Sequence, residues 1–218
     1  FAFSPLGAKA VAVGLLLITG AINVKGTRES ASVQNISSWI KIGGIVVMGT
    51  LLLTLGDSPV LESTSDAGET TLTAIGLAMI SVLWAYEGWQ YVTFSDGEAI
   101  DPQRMIPRAL VIGTTALTAL YLFANLGYLA AMGADRVASS ERVAAEAVTT
   151  VLGSTAGSLV AIIIIISMFS AAHSVVITAP RVYFAMAKDE VFFRKLAEVH
   201  PRFGTPAFAI IASCSWAA

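Results

Sequence analysis

The sequence predicts an all-α integral membrane protein. Of its 218 residues 56% are hydrophobic and only 13% are charged, with a mean hydropathy of +0.75. A soluble domain of that composition would lack the polar surface to cover itself, so lipid must be the solvent for much of the chain. The apolar residues fall in runs of about 20, the length a helix needs to cross a hydrocarbon core of roughly 30 Å. Charged residues collect in short segments between the runs. A net charge of -2 gives no basis for a nucleic-acid partner.

The first predicted span covers 8–24 and is ended by the polar stretch from Lys25 to Ser32. It lacks the basic leader and small-residue cleavage site of a signal peptide. The second span, 33–55, is closed by Gly56 and Asp57. A third covers 71–94, a fourth 109–132 and a fifth 154–179, and a sixth apolar run occupies 206–218. Residues 133–150, with Asp135, Arg136, Glu141, Arg142 and Glu146, read as a loop carrying a short amphipathic helix. Pro180, at the inner end of the fifth span, is expected to bend or end it. The chain opens on Phe1 and stops at Ala218 inside an apolar stretch. It is therefore expected to be a single transmembrane domain incomplete at both ends, partnered by missing N- and C-terminal helices of the same protein. Cys214, the one cysteine, excludes an internal disulfide and is read as a packing residue.

Loop charge orients the spans. The segment from Asp57 to Thr70 carries Asp57, Glu62, Asp66 and Glu69 with no Lys or Arg, and is predicted to face outward. Lys25, Arg28, Arg104, Arg108, Arg181, Lys188, Arg194, Lys195 and Arg202 fall on the other side, which the positive-inside rule makes cytoplasmic. The first span then runs inward, in a multi-pass protein of the cytoplasmic membrane.

The third span carries the most chemistry. Its centre, WAYEGWQY from Trp84 to Tyr91, puts a carboxylate beside a glycine roughly a dozen ångströms from the nearer interface. Glu87 at that depth would cost about 2.5–3.5 kcal/mol facing lipid, so it is expected to face a cavity or a partner. Gly88 eases departure from helical geometry, and an unwound turn frees main-chain groups that can bind a polar solute where they line a protected cavity. The alternative is a continuous helix with Trp84, Tyr86, Trp89 and Tyr91 as packing or interfacial aromatics.

Lys41, in SWIKIGG, is the second charge within a span. It either snorkels to the interface or serves as a proton carrier or fixed cation in place of a bound sodium. His173, in FSAAHSVV, is read as hydrogen-bonded to a neighbouring helix, with a direct part in coupling as the alternative. Ser167, Ser170 and Ser174 share one helix face, and like Gly43, Gly44 and Gly49 they suit close helix packing, with ion coordination the lesser reading. Phosphate loops, dinucleotide fingerprints, HExxH and G-x-S-x-G are absent from the sequence, so no enzyme, cofactor or metal site is predicted. Asn35-Ile36-Ser37 matches a glycosylation acceptor but sits at the cytoplasmic end of a span.

WAYEGWQY, EAIDPQRMIPRAL (98–110), APRVYFAMAKDEVFFRKLAEVHPRFGTPA (179–207) and VQNISSWIK (33–41) together resemble the amino acid-polyamine-organocation superfamily, nearest its L-type amino-acid transporter branch. The resemblance runs in order across most of the chain. It implies a partial five-plus-five inverted-repeat (LeuT-like) fold, with the five complete spans matching family helices four to eight and the sixth run entering helix nine. It further implies an amino acid or amine substrate moved by alternating access around a broken helix. Trp84 would close over the substrate from outside. Backbone groups of Trp84, Ala85, Tyr86, Glu87 and Gly88 would receive its ammonium, and Gln90 would lie beside the side-chain pocket. Lys41 would stand where sodium-coupled relatives hold an ion, with Ser167 close to that position. Glu87 departs from the glycine common in L-type members, which leaves cationic or small substrates open and keeps a polyamine or organic-cation permease as the alternative. A membrane sensor that keeps the fold without moving solute is a further reading.

Overall fold

In the computed structural model, residues 4–58 and 71–218 are described; Glu62, Asp66 and Glu69 of the acidic loop lie outside them. The described residues form α1 (Pro5–Lys25), α2 (Thr27–Leu55), α3 (Leu72–Ala85), α4 (Pro102–Ser139), α5 (Val143–Leu152), α6 (Ser154–Lys188) and α7 (Ala207–Ala217). Two 3-10 segments, Trp89–Glu98 and Arg194–Ala197, join α3 to α4 and α6 to α7. Among the described residues, five stretches are long and apolar enough to cross a membrane: Leu6–Lys25, Thr27–Leu55, Leu72–Phe94, Pro102–Ser139 and Ser154–Lys188.

The helices outrun the apolar runs that predict them. Thr27–Ser32, expected to separate two spans, is the opening of α2, and Pro102–Arg108, expected as loop, opens α4. Beyond the hydrocarbon, polar residues continue a helix without a lipid penalty, and Pro102 at the start of α4 sits where a missing N–H costs nothing. Pro180 does not end its helix either: α6 continues to Lys188. Membrane helices tolerate an internal proline when neighbouring groups re-satisfy the freed main chain.

The chain divides into two compact units, one comprising Phe1–Trp39, Tyr91–Ile106 and Ile166–Ala218, the other Ile40–Gln90 and Pro107–Ile165. In the first, α1 packs on α7, with Val176, Ile210 and Cys214 closing over Val24. Gly20 permits this approach: a Cβ there would lie 3.0 Å from the Cys214 sulfur. A single residue, Gly26, connects α1 to α2. The corner is closed by side chains. The Ser30 hydroxyl donates to the Gly26 carbonyl (2.9 Å), and Thr205 donates to the Val24 carbonyl (2.8 Å). The Thr205 bond satisfies a carbonyl that the end of α1 leaves open, and the Ser30 hydroxyl reinforces the Ser30 N–H bond to the Gly26 carbonyl (3.2 Å).

In the second unit, Leu52, Ala131, Met132, Ala147, Val148 and Val160 form the core. Gly49 and Gly127 let α2 and α4 cross closely, since a Cβ on Gly127 would meet Leu52 Cβ at 3.3 Å and Gly49 Cα at 3.4 Å. Gly133 (φ 74, ψ 166) interrupts α4 in a backbone region that favours glycine, and the chain resumes helix before α5.

Candidate functional site at the break after Ala85

α3 starts on Thr71, whose hydroxyl accepts from the Ala74 N–H at 3.2 Å, and stops at Ala85, within the apolar stretch Leu72–Phe94. Its last turn tightens: the Tyr86 N–H donates to the Leu83 carbonyl and the Glu87 N–H to the Trp84 carbonyl, both at 3.2 Å and both three residues back. Gly88 then takes φ 111, which a side chain at that position would resist, and the chain re-enters 3-10 geometry at Trp89. The main-chain ladder is thus interrupted between Ala85 and Trp89.

Two sets of side chains hold the break. Gln90 folds back over it, its Oε1 accepting from the Gly88 N–H at 3.1 Å and its Nε2 donating to Glu87 Oε1 at 2.6 Å. From α4, the Tyr121 hydroxyl donates to the Ala85 carbonyl at 3.0 Å, taking up an acceptor that the lost helical bond leaves open. The Tyr86 hydroxyl donates to Thr118 Oγ1 at 3.2 Å, and the Tyr86 and Tyr121 rings meet edge to face with centroids 5.4 Å apart. Thr118 spends its own proton on the Thr114 carbonyl (2.9 Å), so its oxygen faces Tyr86 as an acceptor. Glu87 is exposed, Trp84 is 80% exposed, and α3 has no buried residue.

The structure therefore brings Trp84, Ala85, Tyr86, Glu87, Gly88 and Gln90 together at one interruption. Lys41 lies half-buried on α2 in the same unit. Ser167 and His173 lie on α6 in the other unit, where Ser167 is half-buried and His173 fully buried. His173 Nδ1 accepts from the Asn23 amide at 3.2 Å, and its Nε2 faces the Ser30 carbonyl at 3.1 Å. The amide orientation is set by a second bond, from Asn23 Nδ2 to the Thr19 carbonyl at 2.8 Å, so the contacts fit the tautomer with its proton on Nε2. The ring also stacks on Phe169, centroids 5.9 Å apart.

Thr118 and Tyr121 are site residues that motif reading misses. Their signal is periodic: Thr114, Thr118, Tyr121 and Asn125 recur at four- and three-residue spacings, a polar stripe along one face of an otherwise apolar span.

These features define a multi-pass membrane protein built around an interrupted helix. The chain belongs to the amino acid permease family, which matches it over residues 4–215. It is 34% identical to the serine/threonine exchanger SteT of Bacillus subtilis, over 93% of this chain and 46% of that protein. It is 29% identical to the human b(0,+)-type amino acid transporter 1, over 93% of this chain and 42% of the transporter. It is also 29% identical to the rabbit (Oryctolagus cuniculus) large neutral amino acids transporter small subunit 2, over 93% and 39% respectively. The chain thus spans less than half the length of these curated relatives. They bear out the superfamily and branch to which the motifs point.

Proposed function

We propose that the protein is a secondary active transporter, not an enzyme, and that it moves an amino acid across the cytoplasmic membrane by alternating access around the α3 break. The observation that carries this reading is a membrane-length apolar helix that comes apart at Tyr86–Gly88. Interrupted backbone in a membrane is tolerated where it lines a protein-enclosed or water-filled space, and such half-helix ends are where transporters hold polar solutes. The relatives named as amino acid transporters and exchangers support an amino acid as the solute.

In this reading the main chain from Trp84 to Gly88 receives the substrate ammonium and the Trp84 indole closes over it. Gln90 lies beside the substrate side chain while clasping Glu87. Lys41 supplies a fixed or proton-carrying cation, and Ser167 on α6 is a separate candidate for coupling. His173, both ring nitrogens engaged, acts through packing. Helices of the longer protein would complete the chamber.

Radiolabelled uptake by the full-length protein in proteoliposomes tests the proposal. Saturable flux of an amino acid, abolished by Trp84→Ala, is the expected result; binding without flux would support a sensor instead. The exposed carboxylate of Glu87 at the break favours a second reading, a polyamine or organic-cation permease. Competition of uptake by a polyamine but not by neutral amino acids would select it.

A further inference from the structure

Resting on the transport reading, we infer that Tyr121 and Thr118 of α4 are positioning residues for the ammonium site at the α3 break. Ala85 is the last residue of α3, and its carbonyl has lost the helical N–H that an unbroken chain would bring from Trp89. A main-chain carbonyl has two lone pairs. Tyr121 takes one at 3.0 Å and thereby fixes the direction in which the other points. The phenolic proton is spent in that bond, so the Tyr121 oxygen is left as an acceptor beside the Ala85 oxygen. Two acceptors side by side, one main-chain and one phenolic, form a pair suited to a primary ammonium and unsuited to a carboxylate.

Thr118 acts one step back. It anchors the Tyr86 hydroxyl at 3.2 Å, and Tyr86 holds Tyr121 through the edge-to-face contact. The chain of contacts runs from Thr118 to Tyr86, from Tyr86 to the Tyr121 ring, and from the Tyr121 hydroxyl to Ala85. Tyr86 is the residue on which the broken helix turns, with φ -97 and ψ 1, so the same contacts hold the backbone where it departs from the helix. All four residues belong to one compact unit. α4 is in this way part of the substrate site, which its polar stripe alone does not say.

The test is initial-rate uptake by the full-length protein in proteoliposomes, with the amount of reconstituted transporter measured. Tyr121→Phe keeps the ring and removes the hydroxyl; KM is expected to rise about five- to tenfold, the worth of one hydrogen bond, with maximal flux per transporter kept. Thr118→Val should raise KM in the same direction, and Thr118→Ser, which keeps the acceptor oxygen, should restore it. A merely structural role would lower the amount of folded transporter and leave KM alone. Active wild type with KM unchanged in both Tyr121→Phe and Thr118→Val overturns the assignment while leaving the transport reading in place. Wild type without saturable uptake removes the transport reading, and the assignment with it. Should Tyr121→Phe fail to reconstitute, the Thr118 pair decides alone: equal KM in the Val and Ser variants overturns it.

Discussion

Gly88 is the residue whose backbone the break cannot do without. At φ 111 an L side chain is strained by about 1–3 kcal/mol, so Gly88→Ala should shift the segment toward continuous helix. The variant is expected to reach the membrane in normal amount yet lose most substrate uptake, and wild-type flux in it would disprove the requirement. Lys41 sits at depth on α2 and half-buried. Lys41→Ala is expected to alter the pH dependence of transport, and an unchanged profile discards a proton-coupling role. The glycine and carboxylate of this site were legible because they are anomalous in an apolar run. Thr118 and Tyr121 were not, because a threonine and a tyrosine are ordinary in a membrane helix. Their polar stripe marks one face of α4 without saying what it meets, and only the contact with a break thirty-odd residues away points to a role.

At the level of helices, the apolar runs coincide with long apolar helices whose ends lie beyond the runs. Hydropathy reports where lipid is, and helices such as α2 and α4 extend past it. Of the bend or end expected at Pro180, the end does not occur, because a proline removes one hydrogen bond and a membrane helix of 35 residues has many others. Packing between helices supplies two stability predictions. His173→Leu removes one of the two bonds of the Asn23 amide and the side-chain partner of the Ser30 carbonyl in a buried setting, and the loss should cost about 1–3 kcal/mol in all. A clear fall in detergent melting temperature is expected, with His173→Gln falling less. Gly127→Val forces a side chain against Leu52 and Gly49, where even a Cβ lies at 3.3–3.4 Å. Overpacking of about 1–3 kcal/mol should appear in the same measurement, whereas a melt unchanged from wild type would show that α2 and α4 separate freely.

For the whole molecule, membership in the permease family and the positive-inside rule make a joint prediction of sidedness. Cys214 is buried, which limits its own reaction with thiol reagents. In the full-length protein, Arg142→Cys should react with an impermeant maleimide on intact cells, and Arg104→Cys only after permeabilisation. The reverse pattern would invert the topology. The expected orientation rests on loop charge. The division into two compact units was not legible in the sequence. Each unit gathers segments far apart in the chain, and hydrophobic runs that all look alike carry no instruction about which of them pair.

The corner at Gly26 has a mechanical meaning. One residue gives no slack, and Ser30, Thr205 and His173 tie down the carbonyls around it. Any tilt of α1 is therefore delivered to the start of α2 as torque, and the pair must travel as a crank instead of two independent rods. Splicing a few glycines in after Gly26 would turn that crank into a slipping clutch. Substrate affinity in such an insertion variant should stay near wild type while turnover collapses, and undiminished turnover would mean that the two helices never needed to move together.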